Sequence, residues 1–226
     1  MSFIEKLNLN ACIMNNLKRD PMKKINLFII PVVFGMTLGT ASAQSDKIAT
    51  AFSQSYEKET KKDYTGALSV LKEVYDPKSY ELNLRMGWLQ YEAGEYKESL
   101  VSYQGAIDLM PYSIEAKLGY VYPAAALGNM TQVSAQYAKV LAIDPQNTTA
   151  NYRMGLLEYT KKDYKSAFTY LEKVVNLYPF GYDALLLYAW TNYQLGKTRE
   201  AKVLFTKVLW LSPSDKSALE GLSLIK

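Results

Sequence analysis

The sequence predicts an all-α protein, an array of paired antiparallel helices stacked as a solenoid. Three observations predict it. Five of the eight prolines, Pro77, Pro111, Pro145, Pro179 and Pro213, follow one another at intervals of 34 residues, the period of stacked helix-turn-helix units. Between them, residues of the same size return in the same register. One stretch, Thr60-Lys61-Lys62-Asp63-Tyr64, returns unchanged as Thr160-Lys161-Lys162-Asp163-Tyr164.

Each repeat opens with a first helix whose middle is small: Ser55, Gly87, Gly155 and Ala189, with Val121 the bulky exception. A turn column follows at Lys62, Gly94, Gly128, Lys162 and Gly196, where glycine supplies the left-handed backbone that ends a helix. Asp63 and Asp163 are placed as N-caps of second helices. Glu95 and Glu98 put negative charge at the positive end of another. The second helix then carries an aromatic column (Tyr64, Tyr96 and Tyr164, replaced by Met130 and Thr198). After it come a small column (Ala67, Ser99, Val133, Ala167, Ala201) and a large one (Leu71, Tyr103, Tyr137, Leu171, Phe205). Val74, Ala106, Val140, Val174 and Val208 complete the series. The last three columns are four and then three residues apart, which is one helical face. Small against large lets helices interlock. The literal copies stand 100 residues apart, two short of three periods, and the missing pair lies between Val74 and Pro77. The second helix of the first repeat is therefore expected to be short. Each periodic proline stops a second helix. Pro123 is out of period and is expected to kink the first helix of the third repeat by removing a bond to the Gly119 carbonyl.

These columns resemble the tetratricopeptide repeat family, with Gly87, Tyr91, Gly94, Tyr96, Tyr103, Ala106 and Pro111 carrying the match in the second repeat. The resemblance covers about residues 48–226: five repeats and a capping helix at 216–225. It implies a right-handed solenoid, one cooperative domain, and first helices lining a concave side. By the same resemblance the concave columns read Phe52, Leu84, Leu118, Tyr152 and Leu186; then Tyr56, Trp88, Tyr122, Leu156 and Trp190; then Glu59, Tyr91, Ala125, Tyr159 and Tyr193. The expected partner-binding groove consists of Phe52, Tyr56, Leu84, Trp88, Tyr91, Tyr122, Tyr152, Tyr159, Trp190 and Tyr193. Trp88, Trp190, Tyr122 and Tyr159 are its foremost anchors, since tryptophan and tyrosine favour such sites. The competing reading is that neighbouring helices cover the stripe as ordinary core. The family's carboxylate-gripping clamp of lysine, arginine and asparagine is not resembled, because its columns here hold Phe52, Tyr56, Leu84 and Trp88.

Before the repeats, residues 22–43 read as a secretory signal peptide. Met22-Lys23-Lys24 is basic, Ile25 to Gly39 is apolar, and Ala41-Ser42-Ala43 suits cleavage before Gln44. Residues 1–21 read as an extended or non-native leader. The expected location is exported and periplasmic; the alternative is an inner-membrane anchor left by an uncleaved leader. Five of the 26 basic and two of the 22 acidic side chains precede Gln44, so the mature chain is nearly neutral. It has no electrostatic footprint for nucleic acid.

The sequence has no histidine, and its one cysteine, Cys12, lies in the leader. Histidine-based catalysis, thiol chemistry and cysteine–zinc sites are thereby excluded from the mature chain. No cofactor, no metal and no catalytic residue is expected. The expected partner is a protein or peptide, in a membrane-associated complex of the envelope. Two alternatives stand beside it. One is a glycan ligand, with aromatic rings stacking on sugars and Glu81, Glu92, Asp183 and Asn192 bonding hydroxyls. The other is self-association, with the groove filled by the terminal helix of another copy.

Overall fold

The structure is a computed structural model that describes residues 38–225, with side chains from Gln44 onward. Eleven helices are formed by the described residues: α1 Leu38–Thr60, α2 Tyr64–Lys72, α3 Tyr80–Glu92, α4 Tyr96–Leu109, α5 Ile114–Ala126, α6 Met130–Ile143, α7 Thr148–Thr160, α8 Tyr164–Leu177, α9 Tyr182–Gln194, α10 Thr198–Leu211 and α11 Lys216–Leu224. No strand occurs among the described residues, and the all-α fold of consecutive helix-turn-helix repeats is the one expected. Residues 22–37 of the expected signal peptide, Cys12 and the rest of the leader lie outside the described residues. No helix among the described residues is long and apolar enough to cross a membrane.

The described residues form two compact lobes, one ending at Met130 and the other running from Thr131 onward. The boundary between them falls inside the third repeat, at the start of its second helix. In the N-terminal lobe α1 packs on α2, α2 on α3, α3 on α4 and α4 on α5, and the first helices α3 and α5 also touch. In the C-terminal lobe the pairs are α7 with α8, α9 with α10, and α10 with α11, joined by α8 against α9 and by α9 against both α7 and α11.

The second-helix columns pack as their sizes foretell. Ala67, Ser99, Val133, Ala167 and Ala201 are all buried, as are Leu71, Tyr103, Tyr137, Leu171 and Phe205. Close approach needs the small column of the first helix too. A β-carbon on Gly155 would stand 2.7 Å from Leu171 Cγ, and one on Gly87 2.9 Å from the Tyr103 ring.

All five helix-ending turns take the left-handed conformation. Gly94, Gly128 and Gly196 have φ of 83°, 74° and 73°, and Lys62 and Lys162 adopt 60° and 65° despite their side chains. Each turn closes with the same long backbone bond, as in Asp63 N–H to Lys58 O at 2.9 Å and Glu95 N–H to Gln90 O at 2.8 Å. Asp63 and Asp163 cap as expected, accepting from the amides of Gly66 and Ser166. Glu95 stands at its N-cap without a side-chain bond.

Helix α2 has 9 residues against 14 in α4, α6, α8 and α10, which is the predicted shortening. Helix α1 has 23 residues and reaches back beyond the expected start of the repeats near residue 48. Its described part runs from Leu38 to Thr60 with no proline to interrupt it; the expected cleavage site, Ala41-Ser42-Ala43, lies on its backbone. Helix α5 continues through Pro123 to Ala126 and ends with Leu127 N–H on Pro123 O at 3.0 Å.

Candidate functional site

The three predicted concave columns differ in depth. The first is half-buried in every repeat: Phe52, Leu84, Leu118, Tyr152 and Leu186. The second is graded. Tyr56 is 51% exposed, Trp88 and Tyr122 are half-buried, and Leu156 and Trp190 are buried. In the third, Tyr91, Ala125 and Tyr159 are buried, while Glu59 and Tyr193 are half-buried.

Three predicted groove residues are therefore core. Trp190 is 3% exposed; its Nε1 donates to Ser217 Oγ of α11 at 2.8 Å, and its ring meets Phe205 edge-on at 5.0 Å. The capping helix and α10 close over it, so it presents no face to a ligand. Tyr159 lies beneath the surface against Tyr164, ring centroids 5.3 Å apart, and burial raises its phenol pKa strongly. Tyr91 packs between Tyr96 and Tyr122; burial, then the carboxylate of Glu92, pushes its phenol up to about 12. For these three, the ordinary-core reading of the stripe is the one that applies. Asn192, assigned to sugar hydroxyls in the glycan reading, is likewise buried, and its Nδ2 donates to the Tyr188 carbonyl at 2.8 Å.

In the N-terminal lobe α1, α3 and α5 bring Phe52, Tyr56, Leu84, Trp88 and Tyr122 to one side. Their scaffold is a polar network that sequence reasoning missed. Buried Arg85 on α3 pairs through Nη1 with Glu59 Oε2 of α1 at 2.7 Å, and its Nε donates to Ser55 Oγ at 3.1 Å. The other Glu59 oxygen accepts from Trp88 Nε1 at 2.5 Å. The Tyr56 ring lies 3.9 Å from the guanidinium carbon. One carboxylate thus fixes the arginine and the indole together, and Trp88 meets Tyr122 edge-on at 5.9 Å. An arginine one position past a groove column, with a glutamate in the third column of the preceding repeat, was the available signal.

In the C-terminal lobe the half-buried groove residues are Tyr152 on α7, and Leu186 and Tyr193 on α9. A separate shallow depression of about 330 Å³ is lined by Lys165, Phe168, Leu195 and Lys197. It is closed on one side by Lys197 Nζ, which stands 3.8 Å above the Phe168 ring.

A second missed device holds the first helices in place. Asn83, Lys117 and Asn151 share one column, and all three are buried. Asn83 Nδ2 donates to the carbonyls of Pro77 and Ser79, and Asn151 Nδ2 to those of Pro145 and Asn147. Lys117 Nζ does the same for Pro111 and Ser113. In each case a nitrogen ties down the loop that the periodic proline opens. Where this column reaches Leu185 no such donor exists, and there Tyr182 instead donates its hydroxyl to Asp215, the N-cap of α11. Tyr80, three repeats earlier in the same column, contacts the Ser113 N-cap at 2.8 Å in the same manner.

The hairpins α7–α8 and α9–α10 match the tetratricopeptide repeat family, over residues 149–180 and 183–215. In overall fold the chain is similar to a tetratricopeptide repeat protein from Parabacteroides merdae, with a TM-score of 0.68 at 23% identity, covering 80% of this chain and 72% of that one. It is also similar to MamA from Desulfovibrio magneticus, with a TM-score of 0.64 at 20% identity, covering 76% and 98%. In sequence it is 27% identical over 134 residues to human anaphase-promoting complex subunit 7, covering 59% of this chain. That alignment spans only 24% of the human protein's length. The chain contains tetratricopeptide repeats at residues 149–180 and 183–215, within an all-α fold of the class that known tetratricopeptide repeat structures share.

Proposed function

We infer that the protein is a non-enzymatic scaffold that binds a protein or peptide partner along its first helices. One observation carries this reading: Phe52, Leu84, Leu118, Tyr152 and Leu186 stay half-exposed in all five repeats, while the packing faces of the same hairpins are fully buried. Within each lobe, large apolar side chains held at the surface by successive hairpins are suited to receive apolar side chains of an extended or helical segment. Tyr56, Trp88 and Tyr122 extend the surface in the N-terminal lobe. The similarity to a subunit of a large assembly is in keeping with an interaction role. The setting we assign is the cell envelope, after export directed by residues 22–43; the N-terminal residue of the protein recovered from cells tests this, Gln44 being expected, and an intact Met1 or Met22 speaking against it.

The binding reading is tested by selecting a random peptide library on the full chain and on a Leu84→Ser/Leu118→Ser variant whose helicity is checked by circular dichroism. Peptides rich in apolar and aromatic residues are expected to be enriched by the parent and lost with the variant. Retention of the same peptides by the variant removes the stripe as the site.

Self-association is the second reading, and the C-terminal lobe favours it. Trp210 is 66% exposed, and Leu219 and Leu224 of α11 are 48% and 50% exposed. Apolar side chains left uncovered side by side are suited to contact with another copy. Light scattering over a concentration series tests it: growth in mass that Leu219→Lys abolishes supports association, and a constant monomer mass ends it.

A further inference from the structure

The proline loop between α8 and α9 departs from its counterparts. In two of them an aspartate precedes the proline and accepts from the amide two residues on: Asp76 from Lys78 at 2.9 Å, and Asp144 from Gln146 at 3.1 Å. A side chain then caps the next helix, Ser79 for α3 and Asn147 for α7. Before α9 the aspartate's place is held by Tyr178, and the cap's by Gly181, which makes no side-chain bond. Two polar groups that steady the loop from within are replaced. The rings that stand there instead, Tyr178 and Phe180, are 59% and 55% exposed, so the interior of the lobe does not account for them. Trp210 and Leu211 in the last turn of α10 are exposed as well, and so is Leu177, the last residue of α8. The Tyr182 hydroxyl donates to Asp215, so the loops after α8 and α10 lie side by side. Lys173 and Lys207 stand one turn back, on the same helix faces as Leu177 and Leu211 and about 6 Å behind them along the axes. Neither lysine makes an ion pair among the described residues.

Apolar and aromatic side chains at the tip, with ammonium groups one turn behind, form two layers. A sugar presents hydroxyls at every depth, and another protein presents no fixed order of layers. A phospholipid bilayer does: acyl chains below, an interface that favours tryptophan and tyrosine, and phosphates above. We propose that this end of the C-terminal lobe rests on a phospholipid bilayer. Leu177, Tyr178, Phe180, Trp210 and Leu211 enter the interfacial layer, and Lys173 and Lys207 extend their ammonium groups to the lipid phosphates. The nearest carboxylates, Glu172, Asp183 and Asp215, equal Lys173, Lys207 and Lys216 in number. The field there is nearly neutral, and apolar insertion carries the contact. The protein lies on the membrane at this end and does not cross it. The inference uses none of the first-helix stripe and stands apart from the peptide-binding reading.

The test uses the full chain and vesicles of mixed phosphatidylcholine and phosphatidylglycerol, with and without bromine on the acyl chains. Bromine quenches tryptophan that enters the bilayer, and the emission of Trp210 is identified by its loss in Trp210→Phe. Brominated vesicles are expected to quench Trp210. Tyr178→Ser/Phe180→Ser is expected to weaken vesicle affinity about 10-fold or more, and Lys173→Gln/Lys207→Gln by about the same factor. None of these four side chains is buried, so both variants are expected to keep the Tm of the parent. Vesicle binding that leaves Trp210 unquenched overturns the proposal by itself, because the chain is then held elsewhere. Affinity unchanged in both folded variants overturns it as well. A change in Trp210 emission with a soluble oligosaccharide, and none with vesicles, assigns the rings to a glycan and ends the proposal. Growth in mass that Phe180→Ser abolishes, without quenching by vesicles, gives the tips to a second copy and also ends it. Leu219→Lys, the variant that tests self-association, leaves the tips in place and is expected to bind vesicles as the parent does, so the two readings fail separately.

Discussion

Tyr103 lies so close over Gly119 that a β-carbon built on the glycine would stand 2.2 Å from the ring's Cε1. The ring's other edge covers Gly87, so one tyrosine of α4 is seated on two glycines from successive first helices. Overpacking of this kind costs about 1–3 kcal/mol. Gly119→Ala is expected to lower the urea midpoint by that order, read through Trp88 fluorescence, and Tyr103→Leu in the same chain is expected to recover part of the loss. An unchanged midpoint in the single variant shows that the ring has room to move.

Trp190 and Trp88 occupy one column but are expected to behave differently. Truncating a buried tryptophan costs about 3–5 kcal/mol, and Trp190→Ala should lose stability on that scale. Trp88→Ala, half-exposed, should lose clearly less. Thermal melts of the two variants compare them directly, and equal losses contradict the difference in depth.

Lys62 and Lys162 hold left-handed backbone where three other repeats use glycine. A side chain in that conformation costs about 1 kcal/mol. Lys162→Gly is expected to gain up to about that amount, less the entropy that glycine adds to the unfolded chain, and Gly94→Ala to lose a similar amount. Differential scanning calorimetry reads both signs.

Alkaline pH is expected to weaken the fold through its tyrosines. Burial and Asp215 push Tyr182 up to about 12, and burial and Glu172 push Tyr188 to about 12. In the unfolded chain these phenols ionise near 10. The native state therefore holds protons that the unfolded state has released between about pH 10 and 12. The stability they contribute is whole below about 10 and is lost as the pH climbs through that window. Tyrosinate absorbance during alkaline titration should show a late-ionising fraction that shrinks in Tyr182→Phe. At the acid end, the Gly66 amide and Lys58 lower the Asp63 pKa, and Ser166 lowers that of Asp163. Their stabilisation is present above about pH 4 and is lost as the pH falls through the lowered values.

Asn151→Leu should destabilise the C-terminal lobe by about 1–3 kcal/mol, because the Pro145 carbonyl loses its side-chain donor and the Asn147 carbonyl keeps only the Asn151 backbone N–H. Asn151→Lys should recover much of it, since Lys117 performs the same task. A lysine variant no more stable than the leucine variant refutes the equivalence.

The packing columns of the second helices were legible because each position has one neighbour size to satisfy in every repeat, and the period of 34 exposes that constraint. The turn was legible even at Lys62 and Lys162, since they fell in register with glycine. The stripe was legible only in part. Whether Trp190 or Trp88 faces outward depends on Ser217 and Phe205 closing over one, and on Glu59 drawing the other aside. Those partners lie 27, 15 and 29 residues away along the chain, and column reading does not pair them. The loop-holding column was illegible for another reason: asparagine and lysine share neither size nor charge, and only the carbonyls they meet make them equivalent.

That equivalence frees the electrostatics of the protein from its architecture. Each loop anchored by Asn83, Lys117 or Asn151 requires a donor nitrogen of suitable reach, and an amide or an ammonium supplies it. A positive charge can thus be added to or withdrawn from the interior of a single repeat by one substitution, leaving the path of the backbone as it was. Successive copies of one hairpin can in this way diverge in the field they present to a partner, with no change in the lattice of contacts that keeps them in step.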